Sequence, residues 1–185
     1  MFFKGAISAD SHIVEPPHCF VDFIDPKYRA TAPRIERQPN GQDLYVIQGL
    51  KRTVPLGLLD GAGMNCVDRR HHVQTTTFDE TRRSGWDPKF RVADQERDGM
   101  AAEILYASVG MVLCTHPDAD YKAACMTAYN RWLQTYCAEA PKRLFGLAMT
   151  PVLVVEEAIE DFRRAKEMGF VGMMMAGNPV HEDYD

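Results

Sequence analysis

The chain has 185 residues, of which 45% are hydrophobic, 25% charged and 10% aromatic, which excludes disordered and collagen-like proteins and suffices for one domain with a core. Its net charge of −5 offers no basic patch for nucleic acid or anionic lipid, and no window approaches the roughly 18 apolar residues of a membrane span. Met1-Phe2-Phe3-Lys4 has no basic stretch ahead of an apolar run, so no signal peptide is expected. Five cysteines (Cys19, Cys66, Cys114, Cys125, Cys137) without Cys-x-x-Cys spacing read as reduced thiols in a cytoplasmic protein, neither a disulfide framework nor a zinc knuckle.

In chain order, residues 5–12 (GAISADSH) predict a short strand, broken by Glu15-Pro16-Pro17. Residues 26–86 are rich in Pro, Gly, Arg and Asp and form an irregular excursion, within which Asn40-Gly41 ahead of Leu44-Tyr45-Val46-Ile47 marks a small hairpin. Asp87 caps a helix that begins at Pro88 and ends at Gly99, with Phe90, Ala93 and Met100 marking its inner face. Residues 103–108 read as a buried strand. A long helix spans about 119–139, with Tyr121, Cys125, Ala128, Trp132 and Tyr136 in one apolar stripe. Pro141 stops it, and residues 144–149 form the next strand. Glu156 and Glu157 open a further helix with Ile159, Phe162 and Ala165 inward and Gly169 at its end, and residues 170–175 form a fourth strand. Met173-Met174-Met175 within it read as core filler.

Strands alternating with helices predict an α/β protein with a parallel sheet, and continuously apolar strands agree, because parallel strands are buried on both faces. An open dinucleotide-binding sheet wants a glycine-rich turn after its first strand. That turn here carries Asp10-Ser11-His12 and then Glu15-Pro16-Pro17. A (β/α)8 barrel of TIM type fits better. Since a full barrel takes about 250 residues, the four β/α units read as its N-terminal half, in one partial domain over 1–185.

Asp10 and His12 stand two apart at the carboxyl end of the first strand, so their side chains share a face. In a barrel that end carries the active site, and a carboxylate beside an imidazole suits a divalent metal, Zn²⁺ or Mn²⁺. An isolated Asp-x-His is more often a strand end and a solvated loop residue, so context decides.

That context is a resemblance. ISADSHIVEPP (7–17), FRVADQERDGMAAEILYAS (90–108), AYNRWLQTYC (128–137), PKRLFGLAMTPV (141–152) and AIEDFRRAKEMGFVGMMM (158–175) follow one another as in the amidohydrolase-related family. The chain resembles its branch of aminocarboxymuconate-semialdehyde, resorcylate and 5-carboxyvanillate decarboxylases. The resemblance implies a mononuclear metal site with Asp10 and His12 as the first-strand ligands, and a reaction that decarboxylates or hydrolyses a small carboxylated substrate, aromatic or derived from ring cleavage. It also implies a histidine on a fifth strand and a proton-shuttling aspartate on an eighth, both expected beyond Asp185. Two ligands without the shuttle predict weak metal binding and no activity for the chain alone. The alternative is a truncated or split gene product, a non-catalytic half-barrel. A sheet open at both ends predicts a homo-oligomer, for example two copies closing a barrel, or association with a missing C-terminal half.

Glu15, following the pair into the loop above the barrel mouth, is a candidate substrate contact. His116 follows the second strand on the active face, though as a helix-entry residue rather than a catalyst. His71 and His72, beside Arg69 and Arg70, are expected to be solvated. His181 follows the fourth strand, and His18 receives no role. Tyr129-Asn130-x-Trp132 is read as packing of the long helix on the barrel.

Overall fold

The computed structural model of the protein describes residues 5–177. The first strand, β1 (Ala6–His12), ends as expected before Pro16 and Pro17, and a short helix α1 (His18–Val21) buries Cys19 and Phe20. The excursion is more ordered than its composition suggests. After a 3₁₀ turn at Pro26–Thr31 come β2 (Arg34–Arg37) and β3 (Asp43–Val46), the expected hairpin. Gly41 turns it with φ +87°, a conformation glycine takes without strain. β4 (Val54–Pro55) completes a small antiparallel sheet in the order β2-β3-β4. Two helices follow, α2 (Leu56–Leu59) and α3 (Cys66–Thr75).

The regular part then unfolds in sequence. Asp87 accepts from the Lys89 N–H, Pro88 takes the first turn of α4 (Pro88–Asp98), and Gly99 closes it at φ +70°. β5 (Met100–Tyr106) leads through α5 (Val109–Leu113) to α6 (Ala119–Ala138), which Asp118 caps through the Tyr121 N–H. β6 (Leu144–Met149), α7 (Val155–Glu167) and β7 (Gly172–Met174) complete the described chain.

β1, β5, β6 and β7 form one parallel sheet in chain order. An open doubly wound sheet reverses its strand order at a switch point; this sheet does not, and it turns through 188°, half a barrel. The core lies between the sheet, α1, the small sheet and α6. The stripe expected on α6 is buried throughout, with Tyr121, Cys125, Ala128, Trp132 and Tyr136 at most 4% exposed. Each large side chain buried there contributes about 1.5–3 kcal/mol. Asn130 joins α6 to β6 as a strand would: its Nδ2 donates to the Met149 carbonyl at 2.9 Å and its Oδ1 accepts from the Met149 N–H at 2.7 Å. All five cysteines are free. No helix among the described residues is long and apolar enough to cross a membrane.

Four expectations need correction. The inner face of α4 is polar: Arg91 and Gln95 are buried, while Phe90 is 44% exposed and Ala93 lies in solvent. Arg91 and Gln95, one turn apart, both bond Glu103 of β5, which outweighs the pull of one phenylalanine. On α7, Ala158 and Ala165 are buried, but Ile159 and Phe162 are about half exposed, lining an open groove of about 590 Å³ with Phe170 and Val171. The fourth strand is shorter than its apolar run and only half covered, and Met175, read as core filler, is 44% exposed. Finally, α3 was hidden in the excursion. It buries no residue, so no periodicity betrays it, and its signal is Asn65, which accepts from the Val67 and Asp68 N–H groups.

Candidate metal centre

Asp10 and His12 sit at the end of β1 on one side of the strand, with Asp10 Oδ1 3.5 Å from His12 Nε2. A register shift between Ser8 and Ser11 sorts the neighbouring side chains. Ser11 Oγ donates to Glu103 Oε1 at 2.9 Å and lies 2.7 Å from Ser8 Oγ, both toward α4. His12 instead stands beside Tyr106 of β5, and Asp10 beside His12. Asp10 is open, its side chain 80% exposed, and His12 is partly sheltered at 37%. Along the free edge of β1 the pair opens into a groove of about 440 Å³ shared with Asp60, Arg82 and Asp94.

His12 is held from three sides, two at the ring and one at the backbone. Nδ1 lies 3.0 Å from the Ala107 carbonyl, and a carbonyl only accepts, so Nδ1 donates there, while Nε2 faces Asp10 Oδ1 at 3.5 Å. Tyr106, opposite His12 in the parallel ladder, lays its ring at 5.7 Å between centroids. From the helix side, Arg91 Nη1 donates to the His12 carbonyl at 2.8 Å. Arg91 is held by Glu103 through two bonds, Nε to Oε2 at 2.7 Å and Nη2 to Oε1 at 3.1 Å. Burial opposes ionisation of Glu103, but its bonds to Arg91, Gln95 and Ser11 prevail and hold its carboxyl below the ordinary glutamate value.

The remaining candidates lie elsewhere. Glu15, expected at the mouth, is fully buried beneath it. Its Oε1 accepts from the Ser108 N–H at 2.9 Å and the Gly110 N–H at 3.2 Å, its Oε2 has no hydrogen-bond partner, and burial pushes its carboxyl up. It therefore has no open path to a substrate. His116 is 3% exposed and structural: Nε2 donates to the Gln48 carbonyl at 2.7 Å, and Nδ1 accepts from the Asp118 N–H at 3.1 Å. His71 is exposed as expected. His72 is not: it is half-buried, with Nδ1 2.8 Å from Thr76 Oγ1 and Nε2 3.6 Å from Asp60 Oδ2. His18 opens α1 in solvent. His181 lies outside the described residues.

Tyr106, the Ala107–Ser108 turn and the Arg91–Glu103 pair were not anticipated. Parallel pairing of β5 with β1 marks Tyr106 as the neighbour of His12. Arg91 and Gln95, spaced i, i+4 ahead of a strand bearing Glu103, mark the pair.

The donors fit a divalent metal. A carboxylate oxygen and an imidazole nitrogen face each other, and the other ring nitrogen is fixed by a carbonyl, as is usual for metal-bound histidine. Among the described residues no group of three or more His, Cys, Asp or Glu side chains converges for a metal, so Asp10 and His12 stand as a pair of candidate donors.

A parallel half-barrel of this topology is, in part, an amidohydrolase-like fold. Among solved structures, the chain is similar to an amidohydrolase from Mycobacterium avium subsp. paratuberculosis, with TM-score 0.63 and 17% identity over 92% of this chain and 49% of that one. It is also similar to 2,6-dihydroxybenzoate decarboxylase from Rhizobium, with TM-score 0.52 and 15% identity over 98% of this chain and 42% of that one. A third likeness is to 5-carboxyvanillate decarboxylase from Novosphingobium aromaticivorans, complexed with manganese and 4-hydroxy-3-methoxy-5-nitrobenzoic acid. Its TM-score is 0.53 and its identity 16%, over 96% of this chain and 42% of that one. The chain thus spans less than half the length of these structures, and at such identities the likeness establishes the fold. No protein-family profile and no curated protein matches the sequence.

Proposed function

We propose that Asp10 and His12 are metal ligands of an enzyme that decarboxylates or hydrolyses a small carboxylated compound, an aromatic acid above all. The observation that carries this reading is the His12 geometry: Nδ1–H on the Ala107 carbonyl and Nε2 3.5 Å from Asp10 Oδ1, at the carboxyl end of the first strand of an amidohydrolase-like half-barrel. The decarboxylases of similar fold, one of them complexed with manganese and a nitrobenzoic acid, support an aromatic carboxylate and Mn²⁺, with Zn²⁺ suited to the same donors. When bound, the cation supplies a Lewis acid that polarises a substrate oxygen.

The residues here then have separate tasks. Asp10 contributes negative charge from an open position. His12 contributes its ring Nε2, while Nδ1 is bound to the Ala107 carbonyl. Tyr106 walls the site with an aromatic face on which a substrate ring can lie. The resemblance gives the proton transfer to an aspartate of a later strand.

The two-ligand count favours a second reading, a half-barrel without catalysis of its own. Calorimetric titration with Mn²⁺ and Zn²⁺ tests the site: binding is weak in the wild type and lost in Asp10→Asn and His12→Ala. Binding unchanged in both variants contradicts it. Carbon dioxide release from 2,6-dihydroxybenzoate that depends on His12 would favour the enzyme reading for this chain, and metal binding without turnover the second.

A further inference from the structure

Glu15 is the most deeply buried acid near the site, and no step above uses it. It is 0% exposed, and one oxygen, Oε1, accepts two backbone N–H groups, those of Ser108 and Gly110, from 93 and 95 residues away. Ser108 lies in the turn from β5 into α5, and Gly110 in the first turn of α5 that continues it. The same turn carries the Ala107 carbonyl that takes the His12 Nδ1 proton, and Ser108 Oγ donates to the Ile13 carbonyl at 2.7 Å. Glu15 is itself held from behind. The next residue, Pro16, accepts at its carbonyl from the Tyr45 hydroxyl at 3.0 Å, and Tyr45 is 0% exposed at the centre of the small sheet. A single connected path therefore runs from Tyr45 through Pro16 and Glu15 to the 107–110 turn and onto the His12 ring.

We propose that Glu15 is a positioning residue of the metal centre: by clasping the 107–110 turn it holds the Ala107 carbonyl against His12 and so keeps Nε2 free for the cation. The inference rests on the reading of His12 as a ligand. A carboxyl group suits the task because one of its oxygens accepts two N–H bonds from the same short segment. The burial of an acid, a cost in a core built for packing alone, is offset in part by this clasp. The path also gives the excursion a role: its hairpin supplies the Tyr45 hydroxyl that anchors the clasp.

Nitrogen-15 NMR of the metal-free chain reads the His12 tautomer directly, and Glu15→Gln, which keeps an acceptor oxygen, is the conservative control. The expected result is an Nδ1–H tautomer dominant in wild type and Glu15→Gln and reduced to a minority in Glu15→Met, with faster exchange of the Ser108 and Gly110 amides. The Mn²⁺ concentration that half-broadens the His12 signal rises about tenfold or more in Glu15→Met, the usual range for a lost outer partner of a ligand. A cooperatively folded Glu15→Met whose His12 remains Nδ1–H overturns the proposal. Should Glu15→Met not fold, Tyr45→Phe decides: a shift of the tautomer in the same direction supports the path, and an unchanged tautomer with unchanged Ser108 and Gly110 exchange overturns it. Tautomer changes as expected, with no Mn²⁺ effect at His12 in the wild type, would sustain the positioning role and remove the metal reading alone.

Discussion

The helices α6 and α7 present similar apolar stripes and meet opposite fates. On α6, Trp132 and Tyr136 are buried between the sheet and the elements of the excursion, and Asn130 is stitched to the β6 backbone. On α7, Ile159 and Phe162 border an open groove beside β7, and only the alanines are covered. A stripe states which face of a helix wants cover; whether cover exists is decided by the neighbour. Trp132→Ala is accordingly expected to cost about 3–5 kcal/mol in urea unfolding, against about 0.5 kcal/mol or less for Phe162→Ala, which leaves no cavity. Equal costs would erase the distinction between the two helices.

α4 sharpens the comparison, because its covered face is polar. Arg91→Met leaves Glu103 buried without its partner and is expected to destabilise by about 3–5 kcal/mol, as removal of one member of a buried pair does. Arg91→Met with Glu103→Leu should recover most of that loss, and a double variant as unstable as the single would show that packing, not the pair, sets the cost.

The elements that a local signal marks were legible in the sequence. Asp87-Pro88 and Gly99 bounded α4, the Pro141 stop and six apolar residues bounded β6, and the chain order of four parallel strands followed from alternation. The Asp10–His12 pair was legible because strand alternation needs no partner to be read. What escaped depends on contacts distant in sequence: the burial of Glu15 by the 107–110 turn, the Asp60–His72 approach, and the polar face of α4, set by a glutamate on another element. An acid written beside two prolines looks like a loop residue until the turn that covers it is known.

A smaller effect separates the two glutamates on either side of the site. Glu103 is held below its ordinary value, so its contribution is present above that value and is lost as pH falls through the lowered one. Glu15 is pushed above its ordinary value by burial, so the stability tied to its protonated form is present in acid and is lost as pH rises through the raised one. Glu103→Gln should therefore flatten the acid side of the stability curve and Glu15→Gln the side toward neutral pH. Identical pH profiles for the two variants would contradict the assignment of their environments.

The central claim is that Asp10 and His12 bind a metal at the carboxyl end of the first strand of the half-barrel, and mapping Mn²⁺ relaxation enhancement onto the assigned backbone and imidazole signals tests it most directly. The expected map is centred on Asp10 and His12, reaches Tyr106 and Ala107, and vanishes in His12→Ala. Broadening centred on the exposed acids of α7, Glu156, Glu157 and Glu160, and indifferent to His12→Ala would contradict it.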